Sequence, residues 1–338
     1  MTPLKQLCLA VLITATTLTT FAQTPLVFEG KSGPGKGKHI VFLAGDEEYR
    51  SEEALPMLAR ILSARHGFKC TVLFSIHPQT GTIDPMVTTN LPGTEALNSA
   101  DLCFMSLRFR DLPDAQMKPI VDYVNAGKPI IALRTSTHAF AFNVHKTGPY
   151  AKYDWQDKGW PGGFGQQILG ETWVNHHGDH GKQSTRGIIN PELKDHPVLR
   201  GVGEIWGPTD VYGVVHLPAD AKVLVRGQVL TGMTTGDAPL PGPKNDPMMP
   251  LIWLRQHDFG SGKPSRIVTS TIGAAVDLES EGLRRLLVNA CYWATGLETR
   301  IPAKSDVTYV GVYKPRYFGF GKFEPGLKPT DLQNAKAK

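Results

Sequence analysis

A doubly wound α/β domain is the fold class that the sequence predicts, on three observations. Four short apolar runs, at 39–45, 69–74, 101–107 and 128–133, read as strands buried on both faces. Amphipathic segments at 51–66 and 113–125 separate the first from the second and the third from the fourth. Strand, helix, strand, strand, helix, strand within about 100 residues is the doubly wound order.

The first strand, His39-Ile40-Val41-Phe42-Leu43-Ala44-Gly45, runs directly into Asp46-Glu47-Glu48-Tyr49-Arg50-Ser51. Ser51 is placed to cap the following helix, with Glu52 and Glu53 in its electropositive first turn. Leu55, Leu58, Ile61 and Leu62 form that helix's apolar face, and Gly67 stops it. The third strand ends at Arg108-Phe109-Arg110, and Pro113 opens a helix that Gly127 closes. The fourth ends at Arg134-Thr135-Ser136-Thr137-His138.

From 140 to 265 the pattern is irregular. Gly163–Leu169 reads as a short helix, and 172–174, 186–189, 210–215, 222–230, 248–257 and 265–271 read as strands. Glu279–Thr295 is an amphipathic helix ended by Gly296. The expected organisation is a signal peptide at 1–22, a linker at 23–37, one α/β domain at 38–298 and an extended tail at 299–338.

A formal charge of +5 over 338 residues, with Lys and Arg scattered, gives no nucleic-acid footprint. Lys5, the apolar stretch Leu7–Leu18 and Thr20-Phe21-Ala22 have the layout of a cleaved signal peptide. The expectation is export to the periplasm or outside, with no stable membrane span after cleavage. Cys70, Cys103 and Cys291 match no metal spacing and read as buried apolar thiols.

Several segments, in their order, resemble the ThuA-like (trehalose-utilisation) family: Gly45–Glu53, the fourth-strand end, Leu169–His177, His196–Gly201 and Thr209-Asp210-Val211-Tyr212. Pro250–Trp253, Gly260–Gly262, Arg266–Val268 and the last helix resemble the family's closing segment. The resemblance covers roughly 38 to 298. It implies a flavodoxin-like, class I glutamine-amidotransferase-like three-layer sandwich with a mostly parallel central sheet and a loop-rich insertion. It also implies a link to sugar metabolism. Where amidotransferases carry a nucleophilic Cys, this chain has Leu133-Arg134-Thr135-Ser136; where many ThuA-like proteins have a His near Arg134, the nearest here is displaced to His138. Amidotransferase chemistry is therefore not expected.

In a doubly wound sheet, ligand chemistry gathers at the C-terminal ends of the strands. Asp46, Glu47 and Glu48 there suit an acid/base pair or a cation or polyol site; the plainer alternative is a solvated turn with Asp46 as a cap. Arg108, Arg110, Arg134 and His138 come beside them. Arg134 has the rigid fork for a carboxylate or paired hydroxyls, whereas Arg108 can equally be a salt bridge fixing the turn. His176, His177, Asp179 and His180 form the densest set of metal-ligand types. An extended chain puts 176 and 177 on opposite faces. His177 and His180 across a Gly turn could hold a divalent metal with Asp210 or Glu48 as third ligand, or His177 could serve as a general base.

The expectation is an enzyme, a hydrolase or lyase acting on a carbohydrate or keto-sugar. Asp46, Glu48 and His177 are its catalytic candidates; Arg108, Arg134, His138 and Tyr212 are the substrate-binding ones; His177, His180 and Asp210 are the metal candidates. A non-catalytic carbohydrate-binding protein using the same cleft is the alternative.

Overall fold

The structure is a computed structural model and describes residues 25–333. The expected signal peptide lies outside the described residues. Ten strands form one sheet: β1 (Leu26–Phe28), β2 (His39–Gly45), β3 (Lys69–Phe74), β4 (Leu102–Leu107), β5 (Ile130–Leu133), β6 (Thr185–Ile189), β7 (Ile205–Gly207), β8 (Lys222–Val229), β9 (Met249–His257) and β10 (Ser265–Ser270). Their spatial order is β1-β3-β2-β4-β5-β10-β9-β8-β6-β7. The helices are α1 (Ser51–His66), α2 (Asp114–Asn125), α3 (Glu281–Ala294) and the short α4 (Pro329–Gln333).

The expected mostly parallel, three-layer sandwich is overturned. Of the nine neighbouring strand pairs only four are parallel: β2 with β3, β2 with β4, β4 with β5, and β5 with β10. The other five are antiparallel, so the sheet is mixed. Parallel neighbours need long crossovers, usually helical, whereas antiparallel ones can be joined by turns. After His138 the chain is rich in Gly and Pro and supplies no long helix until α3. The segment expected as a loop-rich insertion instead extends the sheet through β6 to β9.

Two other expectations change. The segment expected as a linker contains β1, whose Leu26 pairs with Val72 at the sheet edge. The stretches expected as strands at 172–174 and 210–215 form none; just past the first, an isolated bridge pairs His176 with Tyr212.

The sheet buries apolar side chains on both faces. Phe42, Phe104, Leu133 and Val268 pack with α1 and α3 on one face. Val41, Met105, Ala132 and Ile267 pack with α2 on the other. Cys70, Cys103 and Cys291 are buried and unpaired. No helix among the described residues is long and apolar enough to cross a membrane.

The parallel run β2-β4-β5-β10 matters most for the site, because it brings four C-terminal strand ends to one edge. Gly45 ends β2, where a Cβ would meet Ser75, Arg110 and Leu107 at about 3 Å. A larger residue there would have to push these side chains aside, Arg110 among them, where the acidic turn leaves the sheet.

Candidate functional site

The acidic turn after β2 is largely consumed by its own backbone. Asp46 is fully buried. Its Oδ1 accepts from the backbone N–H of Glu48 (2.7 Å) and of Tyr49 (2.8 Å), and its Oδ2 accepts from the Thr135 hydroxyl. Ser51, expected as a helix cap, instead accepts from the Asp46 N–H at 3.0 Å. Arg50 takes the cap position with φ 59°. Glu47 is gripped by Arg108 and by Arg110, the latter at 2.6 Å. Glu48 stands apart, its Oε2 3.7 Å from Arg108 Nε and its Oε1 3.6 Å from His180 Nε2.

Arg134 occupies the sharp turn after β5 with φ 39°. A non-glycine residue there is strained and persists only where its surroundings hold it. The guanidinium provides that hold. Nη1 donates to the carbonyls of Thr271 (2.9 Å) and Asp210 (3.1 Å), and Nη2 to Asp210 Oδ1 (2.9 Å) and Tyr49 Oη (3.1 Å). The rings of Tyr49 and Tyr212 flank it, each 4.2 Å from the guanidinium carbon. Phe109 (φ 50°) and Arg50 complete a set of three strained non-glycine residues, all just beyond strand ends at this edge.

Asp210 is the hub. Beyond Arg134 it holds two imidazoles: His176 Nδ1 lies 2.7 Å from Oδ2, and His180 Nδ1 lies 3.0 Å from Oδ1. Burial would raise the Asp210 pKa, but the Arg134 charge and the two histidine hydrogen bonds outweigh it and hold the carboxyl well below the usual range. One oxygen of this carboxylate and one ring nitrogen each of His176 and His180 all lie within 4.8 Å of one another. That is a ligand set of two nitrogens and an oxygen.

Aromatic rings wall the mouth. Trp173 lies 5.8 Å from His176 and 6.0 Å from Trp155, and Phe109 lies 5.5 Å from Trp155. His138 sits among them, its ring 4.9 Å from Phe109 and 5.9 Å from Trp173. Burial, reinforced by Arg108, Arg134 and His176, depresses its pKa far below that of a free imidazole. It is neutral at physiological pH.

The structure thus brings Glu48, Arg108, Arg134, His138, His180, Asp210 and Tyr212 to one mouth, with Asp46 buried beneath it. His177 is not among them. Its Nε2 lies 2.8 Å from the Lys244 carbonyl oxygen, so the set His177, His180 and Asp210 gives way to His176, His180 and Asp210. An extended chain puts 176 and 177 on opposite faces, and the bridge at His176 followed by the bend and turn through 177–180 brings His176 and His180, not His177, to Asp210. Tyr49 and Phe318 also line the site. Neither stood out in the sequence, because nothing local places a Tyr beside an arginine 85 residues later or returns a distant tail segment to the mouth.

No protein-family model matches the chain, and no curated protein matches it. Among solved structures, a protein from Parabacteroides merdae described as ThuA-like aligns with a TM-score of 0.50 at 14% identity, over 77% of this chain and 90% of its own. A second ThuA-like protein, from Bacteroides uniformis, aligns with a TM-score of 0.48 at 13% identity, over 79% and 95%. At such identity the likeness is one of fold alone: the fold of this chain is similar to that of the Parabacteroides protein.

Proposed function

We propose that the chain is an exported enzyme that holds a divalent metal ion between His176, His180 and Asp210 and acts on a carbohydrate or keto-sugar. The observation that carries this reading is the convergence of those three ligand groups within 4.8 Å at the mouth of the sheet. Two imidazoles and a carboxylate suit zinc or a similar borderline metal, and three protein ligands leave room for water or substrate. Bound there, the metal would polarise a carbonyl or hydroxyl oxygen and acidify a bound water. Arg134 supplies the outer support, fixing Asp210 in its ionised form. Glu48, 3.6 Å from His180, is the group placed to carry a proton.

The flat faces of Trp173 and Trp155 support a sugar as the ligand class, as does the ThuA-like fold. Export rests on the composition of residues 1–22.

The test starts with protein purified without chelator or nickel resin. About one equivalent of a transition metal is expected, falling below about a tenth in His180→Ala. Metal-free wild type that cannot be loaded would end the metal reading. A panel of glycosides and 3-keto-glycosides then tests turnover. Glu48→Gln should lower kcat by about 100-fold or more; equal turnover in the two proteins would remove Glu48 from the chemistry. Saturable sugar binding with no turnover would favour the non-catalytic alternative.

A further inference from the structure

The residues expected as a surface tail return to the site. Beyond α3 the chain is pinned by Tyr313, whose hydroxyl donates to the Ala275 carbonyl at 2.7 Å. Arg316 follows, its N–H donating to Glu53 Oε2 at 2.8 Å and its guanidinium pairing with Glu324 across the loop. Just past those anchors Phe318 is only 5% exposed. Its ring lies 5.3 Å from His180 and 5.4 Å from Tyr49, with Ala274 and Val276 completing the patch. Gly319 donates its N–H to the Glu48 carbonyl at 2.8 Å, and the Phe320 ring lies 5.1 Å from the Arg108 guanidinium.

His180 needs such support. It sits on a turn between Asp179 and Gly181, with about a third of its side chain exposed. Asp210 holds one nitrogen and His176 faces the ring at 4.9 Å. Phe318 packs against the ring from the tail.

We propose that Phe318 is a positioning residue for His180, and that residues 316–320 are a strap whose seating keeps the imidazole aimed with Nδ1 on Asp210. The Gly319 and Phe320 contacts extend the same strap to Glu48 and Arg108, so one segment touches both sides of the mouth. The consequence for metal affinity rests on the reading given above; the consequence for the ring does not.

The test uses metal-free full chain labelled with nitrogen-15 in histidine. Wild type is expected to show His180 as a single Nδ1–H tautomer. Phe318→Ala should give averaged ring-nitrogen signals at unchanged far-UV circular dichroism, and Phe318→Leu, which refills the patch, should restore the single tautomer. Titration with Zn²⁺, which would take the place of the Nδ1 proton between His180 and Asp210 and release it to solvent, should then show about 10- to 100-fold weaker binding in Phe318→Ala, the size expected when a ligand loses its outer support, and near wild-type binding in Phe318→Leu. Should Phe318→Ala fail to fold, Arg316→Ala, which releases the strap from the exposed side, should shift the ring signals in the same direction. A single unaltered His180 tautomer and unchanged Zn²⁺ affinity in the released variants would overturn the proposal. Ring averaging in a protein whose wild type takes up no Zn²⁺ would leave the positioning role standing and the metal reading refuted.

Discussion

Two polar turns stand at the same mouth and have opposite fates. The acidic turn at 46–48 has the highest carboxylate density in this part of the chain, yet Asp46 is spent on two backbone N–H groups and a hydroxyl, and Glu47 on two arginines. The histidine turn at 176–180 meets Asp210, which organises both of its Nδ1 atoms at the mouth, with Glu48 3.6 Å from the other nitrogen of His180. The difference teaches that density of ionisable groups in the sequence is a poor guide to availability. A carboxylate that leads into a helix finds unpaired N–H groups within three residues and satisfies them. A histidine at a loop has no such local partner.

Breaking the histidine side should have the largest effect. Asp210→Ala leaves Arg134 buried with its charge partner gone, which should cost ~3–5 kcal/mol in urea denaturation. It should also abolish metal uptake. Asp46→Ala strands the N–H groups of Glu48 and Tyr49 together with the Thr135 hydroxyl, and should cost ~2–3 kcal/mol. Its metal affinity, measured on the folded fraction, should stay within about threefold of wild type. If Asp46→Ala loses metal at unaltered stability, the acidic turn belongs to the working site and the contrast is wrong.

A neighbour of the acidic turn gives a prediction in pH. Glu52 is buried beside Arg50, 3.6 Å away, with neither carboxylate oxygen hydrogen-bonded. Burial outweighs the pull of Arg50 and pushes its pKa up to about 8. The folded state therefore binds a proton that the unfolded chain releases above the ordinary carboxylate value of 4.5. The sign follows: stability from this group is full at low pH and declines as pH rises from about 4.5 to about 8, at ~1.4 kcal/mol per unit. Glu52→Gln, which mimics the protonated form, should gain on wild type across that window and hold a constant advantage above it. Parallel stability curves for the two proteins over pH 5 to 8 would show that Glu52 titrates normally.

How much of this was legible in the sequence divides along the same line. The four apolar runs and the two helices between them stand where the periodicity places them, since burial on both faces leaves a plain mark in composition. The arrival of Arg108 and Arg134 beside the acidic turn followed from the strand order β3-β2-β4-β5. The second half was not legible as a sheet class. β6 to β9 are joined by long irregular connections, and their direction depends on how those connections fold back, which no local pattern records. The role of Phe318 was hidden for a related reason: one aromatic among several in an aperiodic tail has the same signature on a surface as in a site.

The smallest expected effect, that of His177→Ala, is also the sharpest discriminator within the histidine turn. His176 and His177 are adjacent, and only backbone parity tells them apart. His176 Nδ1 is 2.7 Å from Asp210, while His177 reaches the Lys244 carbonyl at 2.8 Å. His176→Ala should lower Zn²⁺ affinity by about 100-fold or more, as loss of a direct ligand does. His177→Ala removes one hydrogen bond at the edge and should cost ~1 kcal/mol of stability, with Zn²⁺ affinity within about threefold of wild type. A reversal of the two, with His177→Ala losing the metal and His176→Ala keeping it, would mean that the segment turns over relative to Tyr212 when metal binds. The bridge between His176 and Tyr212 fixes that parity, so the reversal would require it to break, and backbone amide exchange at Gly213, which donates to the Asn175 carbonyl at 3.0 Å, would report it directly.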